Sequence, residues 1–228
     1  MSEKKVAIVD YHLGNLFSVK QSCEKTGINV ELCSNGEDLY KFDAIILPGV
    51  GAFGEAMQNM HNLGLVDPLR DLAAKGRPIF GICLGLQVAT IEFCRNVLNL
   101  EGANSTEFDE NAPTAAVVFM PEISKTHLGG TMRLGTRPTL WQVDECKIRT
   151  LYGEGEAVDE RHRHRYEVNP DLIERIEAEG LVFVGKDETG QRCEIFELTD
   201  HPYYVGVQYH PEFKSRPGRP SPPFLGLL

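Results

Sequence analysis

Short, wholly apolar runs separated by amphipathic segments set the pattern of the first hundred residues. Val6-Ala7-Ile8-Val9-Asp10 is β-branched and bounded by polar positions, so it reads as a buried first strand. Tyr11 to Asn15 is a turn. Leu16 to Lys25 carries apolar residues at helical spacing, and Gly27 closes it. Val30–Cys33 is a second strand, Glu37–Lys41 a short helix, and Phe42–Leu47 a third strand ended by Pro48-Gly49-Val50-Gly51. Helix follows over Phe53–Leu63 and Val66–Ala74, with a break at Gly64. Arg77-Pro78-Ile79-Phe80 opens a fourth strand, and Val88–Cys94 returns to helical spacing. Strand and helix alternate throughout, which predicts a doubly wound α/β sheet with its parallel strands buried on both faces.

Beyond residue 100 the texture changes. Asn104 to Pro113 reads as loop and Ala115–Met120 as a strand. The glycine-punctuated stretch Gly129-Gly130-Thr131-Met132-Arg133-Leu134-Gly135 leads into a strand pair, and residues 161–168 are alternately charged. Residues 171–179 predict a short helix. Leu181–Gly185 and Cys193–Leu198 are strands around a turn at Glu188-Thr189-Gly190. The last strand, Tyr204–Tyr209, runs directly into His210-Pro211-Glu212-Phe213. Arg216 to Pro223 holds four prolines and one glycine and reads as an extended surface segment.

Composition narrows the class without naming a function. The 228 residues suffice for one large α/β domain or two small ones, and 42% hydrophobic with 25% charged residues is ordinary for a globular chain. A net charge of −10 argues against general nucleic-acid binding. No run of 18 apolar residues exists, so nothing here spans a membrane as a helix, and the first residues do not resemble a signal peptide. Six scattered cysteines without a C-x-x-C pair point to reduced thiols in a cytoplasmic protein, not to zinc or disulfides.

Candidate chemistry centres on Gly81-Ile82-Cys83-Leu84-Gly85-Leu86-Gln87, a strand, a tight turn and a helix start. That is the geometry of a nucleophile elbow with cysteine in place of serine. The glycines leave room for the turn, and the helix N-terminus that follows favours a thiolate. Taken alone, G-x-C-x-G also fits a buried structural cysteine. Three features converge at the carboxyl ends of the predicted strands, where open α/β sheets place their sites: this elbow, the glycine turn at 48–51 and the histidine ending the last strand. Cys83 is placed to attack a carboxamide carbon, His210 to carry the proton, and Glu212 to orient the imidazole. The backbone N–H groups of Gly49, Val50, Gly51 and Leu84 are the candidate oxyanion hole.

The elbow together with the His-Pro-Glu ending resembles the class I (triad) glutamine amidotransferases. That resemblance implies a flavodoxin-like fold over residues 1–228, with a mostly parallel central sheet, a C-terminal β-rich part and no synthase domain. It implies glutamine hydrolysis through a cysteinyl-acyl intermediate by Cys83, His210 and Glu212. It requires neither cofactor nor metal. Its partners are L-glutamine and a synthase that consumes ammonia, with no nucleic acid or membrane. Residues 4–87 resemble the glutaminase subunit of imidazole glycerol phosphate synthase, through Asp10-Tyr11-x-x-Gly14-Asn15-Leu16 and Leu47 to Phe53. Residues 88–228 resemble the glutaminase domain of CTP synthase, through Asn104 to Phe108, Gly129 to Gly135, Glu160 to Asn169 and the Ser221-Pro222-Pro223 tail. A chimera joined just after the elbow accounts for this division. By the CTP synthase resemblance, Glu107 holds the ammonium of glutamine and Arg165 its carboxylate, with Gln87 and Leu84 lining the pocket. His162 and His164 leave a metal site, an exposed strand or a phosphate patch open. Three functions remain: a glutaminase serving a CTP synthase-like or histidine-pathway synthase, an inactive binding module, and a gamma-glutamyl peptidase.

Overall fold

The computed structural model describes residues 4–120, 132–153 and 155–228. Gly129, Gly130 and Thr131 of the glycine-punctuated stretch lie outside the described residues. The alternating pattern of the N-terminal half becomes β1 (Lys5–Val9), α1 (Leu16–Lys25), β2 (Asn29–Cys33), β3 (Ala44–Leu47), α2 (Phe53–Asn62), α3 (Val66–Ala74), β4 (Ile79–Ile82) and α4 (Leu84–Asn96). A 3-10 turn covers Glu37–Lys41. The second half adds β5 (Ala103–Ser105), β6 (Thr114–Phe119), β7 (Arg133–Trp141), α5 (Lys147–Tyr152), β8 (Ala157–His164), β9 (Tyr166–Val168), α6 (Ile173–Ala178), β10 (Leu181–Lys186), β11 (Cys193–Leu198) and β12 (Tyr204–Val207).

Nine strands form one sheet in the order β2-β1-β3-β4-β12-β11-β10-β7-β8. From β2 to β12 every pairing is parallel, and from β12 to β8 every pairing is antiparallel. The sheet is therefore mixed, with a parallel part from β2 to β12 and the antiparallel C-terminal strands beyond it, and the change falls at β12, beside the elbow strand. Period-two alternation divides the core. Val6 and Ile8 face a cluster with Val19, Phe80 and Val207, while Ala7 and Val9 face the layer of α2, α3 and α4. Both faces are covered, which is why these strands read as unbroken apolar runs. Helix α4 is the most enclosed, with Leu84 through Ile91 all buried.

Two local expectations change. The stretch read as loop from Asn104 contains β5, paired to β6 in a small separate sheet, β5-β6-β9. The proline-rich tail is a surface segment only in part. Arg216 to Arg219 is exposed, but Ser221 and Pro223 are buried, and the chain continues into a 3-10 helix over Pro222–Leu227. Phe224 there sits edge-on to Phe80 at 5.6 Å. Burying an aromatic side chain is worth about 1.5–3 kcal/mol, enough to fold a tail that proline alone would leave extended.

Candidate active site

Cys83 joins the end of β4 to the start of α4 with φ +53° and ψ −103°, a conformation that β-carbon-bearing residues rarely hold. The strained position is held from both sides. Cys83 N donates to Val207 O at 2.7 Å, tying the elbow to β12. Behind it, a Cβ on Gly85 would lie 2.1 Å from Leu47 O, so α4 packs on the β3 backbone at a distance that only glycine permits. Leu84 opens the helix with its side chain buried.

The Pro48–Gly51 turn packs on the same helix start. A Cβ on Gly49 would meet Leu84 Cβ at 2.4 Å, and the Tyr11 hydroxyl donates to Pro48 O. Val50 stands exposed, and Gly51 has φ +115°. All four residues expected to form the oxyanion hole therefore lie around one turn.

His210 arrives on the chain just beyond β12, its N–H donating to Arg161 O at 2.8 Å. Its side chain is buried, with Nδ1 2.9 Å from Glu212 Oε1. Nε2 is buried too, on the side of the ring away from Glu212. Burial alone would push the imidazole pKa down, but Cys83 and the Glu212 carboxylate outweigh it and raise it to about 10. His210 thus lies between a sulfur and a carboxylate, both of which favour its protonated form. Phe213 packs against its ring at 5.2 Å, and the Arg161 guanidinium lies over Phe213.

The structure thus brings Cys83, His210 and Glu212 together. Gln87, one turn along α4, is buried, with its amide nitrogen 2.8 Å from Tyr166 O and 3.2 Å from Gln208 Oε1. Glu107 and Arg165 are both exposed and both act electrostatically on Tyr166. Burial raises the Tyr166 hydroxyl pKa first, and Glu107 adds to this while Arg165 opposes it. Glu107 also has a role not foreseen from sequence, accepting from Phe53 N at 3.1 Å at the start of α2. Gln208 was missed as well. Its Nε2 lies 3.6 Å from Cys83 Sγ. The available signal was a polar residue between Val207 and Tyr209 in an apolar run.

The alternating charges of β8 resolve into two faces. Arg161 and Arg163 are exposed, while Glu160, His162 and His164 are buried. His162 Nδ1 and His164 Nε2 are 3.0 Å apart. Glu194 lies 3.8 Å from His162 and bonds Arg133 at 2.8 Å and Thr139; Glu167 lies 3.5 Å from His164 and pairs with Arg192. Burial, with neighbouring cations, lowers His162 to about 2 and His164 to about 3, so both stay neutral. Burial raises Glu160, Glu167 and Glu194 to about 7. The histidines thus belong to an interior polar layer and not to an exposed strand or a phosphate patch. Among the described residues, no group of three or more His, Cys, Asp or Glu is arranged to hold a metal.

The family model for class-I glutamine amidotransferases matches residues 7–228. The chain belongs to that family. This amidotransferase chain is 49% identical to CTP synthase 2 of Rattus norvegicus over 211 residues, covering 88% of this chain and 35% of that protein. It is 62% identical to CTP synthase of Dictyostelium discoideum over 157 residues, 67% of this chain and 28% of that protein. It spans about a third of the length of the curated relatives it matches. A likeness covering 88% of the chain runs well upstream of residue 88, so the resemblance to CTP synthase crosses the elbow. Among solved structures, the glutaminase domain of Trypanosoma brucei CTPS with bound acivicin superposes with a TM-score of 0.78 at 27% identity, covering 98% of this chain and 92% of that one. PurLQS from Thermotoga maritima shares the fold, with a TM-score of 0.65 at 14% identity, covering 99% of this chain and 97% of that one. Among the described residues no helix is long and apolar enough to cross a membrane.

Proposed function

We propose that this chain hydrolyses glutamine and delivers the ammonia to a synthase of the CTP synthase type. The observation that carries the reading is the buried group of Cys83, His210 and Glu212, with the imidazole between sulfur and carboxylate. Glu107 receives the ammonium of glutamine and Arg165 its carboxylate, around the Tyr166 ring. The Cys83 thiolate adds to the side-chain amide carbon. The tetrahedral oxyanion turns to the backbone N–H groups of the Gly49–Gly51 turn and of Leu84. Imidazolium Nε2 passes its proton to the departing nitrogen, the C–N bond breaks and ammonia leaves a thioester. His210, now neutral, takes a proton from water as the water attacks. Collapse expels the thiolate, frees glutamate and restores the ion pair. Glu212 holds Nδ1–H throughout, so that Nε2 faces the reaction.

The CTP synthase assignment is supported by 49% identity over 88% of the chain, against a protein whose other two thirds lie outside the match. Val50 is exposed on the oxyanion turn, where a docking partner can press, so the isolated chain turns glutamine over slowly. Ammonia release should be measured for the chain alone and with the synthase part of a CTP synthase. The expected result is slow turnover that rises on addition and vanishes in Cys83→Ala. Ammonia release surviving in Cys83→Ala, or no binding of glutamine, overturns the reading.

A further inference from the structure

The amides of Gln87 and Gln208 lie side by side, and a backbone carbonyl decides which way round each stands. Gln87 Nε2 is 2.8 Å from Tyr166 O and 3.2 Å from Gln208 Oε1. A carbonyl oxygen only accepts, so Gln87 must present its NH2 to Tyr166. The second hydrogen of that NH2 goes to Gln208, which must answer with its oxygen. The Gln208 NH2 is then left facing Cys83 Sγ at 3.6 Å. Gln208 is wholly buried, so no bulk water competes for this contact. Its backbone is fixed by Gln208 N donating to Glu194 O at 2.8 Å, and the preceding Val207 O receives Cys83 N at 2.7 Å. Donor and sulfur thus ride on directly bonded neighbours of the sheet.

We propose that Gln208 is a positioning residue for the nucleophile, its amide N–H donating to the Cys83 sulfur whenever that sulfur is anionic. The inference rests on the glutaminase reading above. A hydrogen bond to an ionised acceptor is roughly twice as strong as one between neutral groups, so the amide favours thiolate over thiol or thioester. When the sulfur is charged the Gln208 amide offers it a donor, whereas the Arg163 carbonyl, 4.0 Å from it, can only accept. Acylation removes the charge and with it the acceptor. The bond returns as the thiolate leaves, so Gln208 assists collapse of the thioester intermediate.

The test uses a chloroketone analogue of glutamine as probe, with its adduct at Cys83 quantified by mass spectrometry and the inactivation rate followed against pH. In Gln208→Met, close in shape and without the donor, the acid limb of the profile should move to higher pH by on the order of one unit. Gln208→Glu should move it further, and Gln87→Met, which frees the Gln208 amide to rotate, should move it less in the same direction. Loss of packing alone would lower the melting temperature and leave the limb in place. An unmoved limb in whichever of these variants folds overturns the proposal. A wild-type chain never labelled at Cys83 overturns the glutaminase reading beneath it, whereas labelling with an unmoved limb removes only the role of Gln208.

Discussion

Gly85→Ala is the smallest change that should disable the elbow. The added Cβ would stand 2.1 Å from Leu47 O, a backbone atom of a central strand that has nowhere to go. Carbon approaches a carbonyl oxygen no closer than about 3.3 Å in ordinary contacts, so α4 must back away from β3 by roughly 1 Å. Cys83 and Leu84 lie in the same turn and move with it. Overpacking of this kind costs about 1–3 kcal/mol of stability, or several degrees of melting temperature. A displacement of about 1 Å at the reacting atoms can cost on the order of 10²-fold in rate. The expected outcome is a folded protein, melting several degrees lower, with glutaminase kcat down by about two orders of magnitude and glutamine KM much less affected. Ammonia release under saturating glutamine and calorimetric melting would measure both. A Gly85→Ala chain with wild-type kcat would show that the approach of α4 to β3 does not set the position of the nucleophile.

Three further expectations follow from the same geometry. Glu212→Gln should lower kcat by about 10⁴-fold, leaving a residual that His210→Ala does not, because Glu212 only orients and stabilises the imidazolium. It also removes one of the influences that raise His210, so the imidazole resonance should titrate at lower pH than in the wild type; an unmoved titration contradicts the pairing. Glu107→Ala and Arg165→Ala should each raise glutamine KM roughly ten- to hundredfold, and unchanged values in both would remove them from the substrate site. Glu160 is held near a pKa of about 7 by burial, above its unfolded value of 4.5, so its ionisation opposes folding increasingly between those two pH values and fully above them. Glu160→Gln should therefore stabilise the chain more at about pH 8.5 than at about pH 5, by up to about 3 kcal/mol. Equal gains at both pH values would count against this assignment.

The parallel half was legible because burial on both faces writes itself as unbroken apolar runs, and β1, β3 and β4 are such runs. The elbow was legible for a related reason: two glycines at fixed spacing mark a backbone approach that no side chain allows. The antiparallel half was harder. Strand β8 carries charged or imidazole side chains on its buried face, so its period of two did not appear as hydrophobic alternation. Glu160, His162 and His164 tolerate the interior only because Tyr152, Glu194 and Glu167 meet them there, with Arg133 on Glu194 and Arg192 on Glu167, and Glu194 and both arginines come from other segments of the chain. Gln208 was opaque for the same reason, since its meaning depends on Gln87 and Tyr166. In the tail, the prolines hid the two apolar anchors, Phe224 and Leu227.

Strand β8 is the last of its sheet, and an outermost strand normally offers a row of unused carbonyls to any other chain that drifts past. Here three of them, on alternate residues, face this molecule's own segments. Asp159 O takes the Lys214 ammonium, Arg161 O takes His210 N, and Arg163 O lies beside the Cys83 sulfur. The loop that brings in the base therefore also seals the open border of the sheet. Substitutions that unseat residues 208–214 would cost more than turnover, because they would expose a bare β-edge and leave the protein prone to stick to itself.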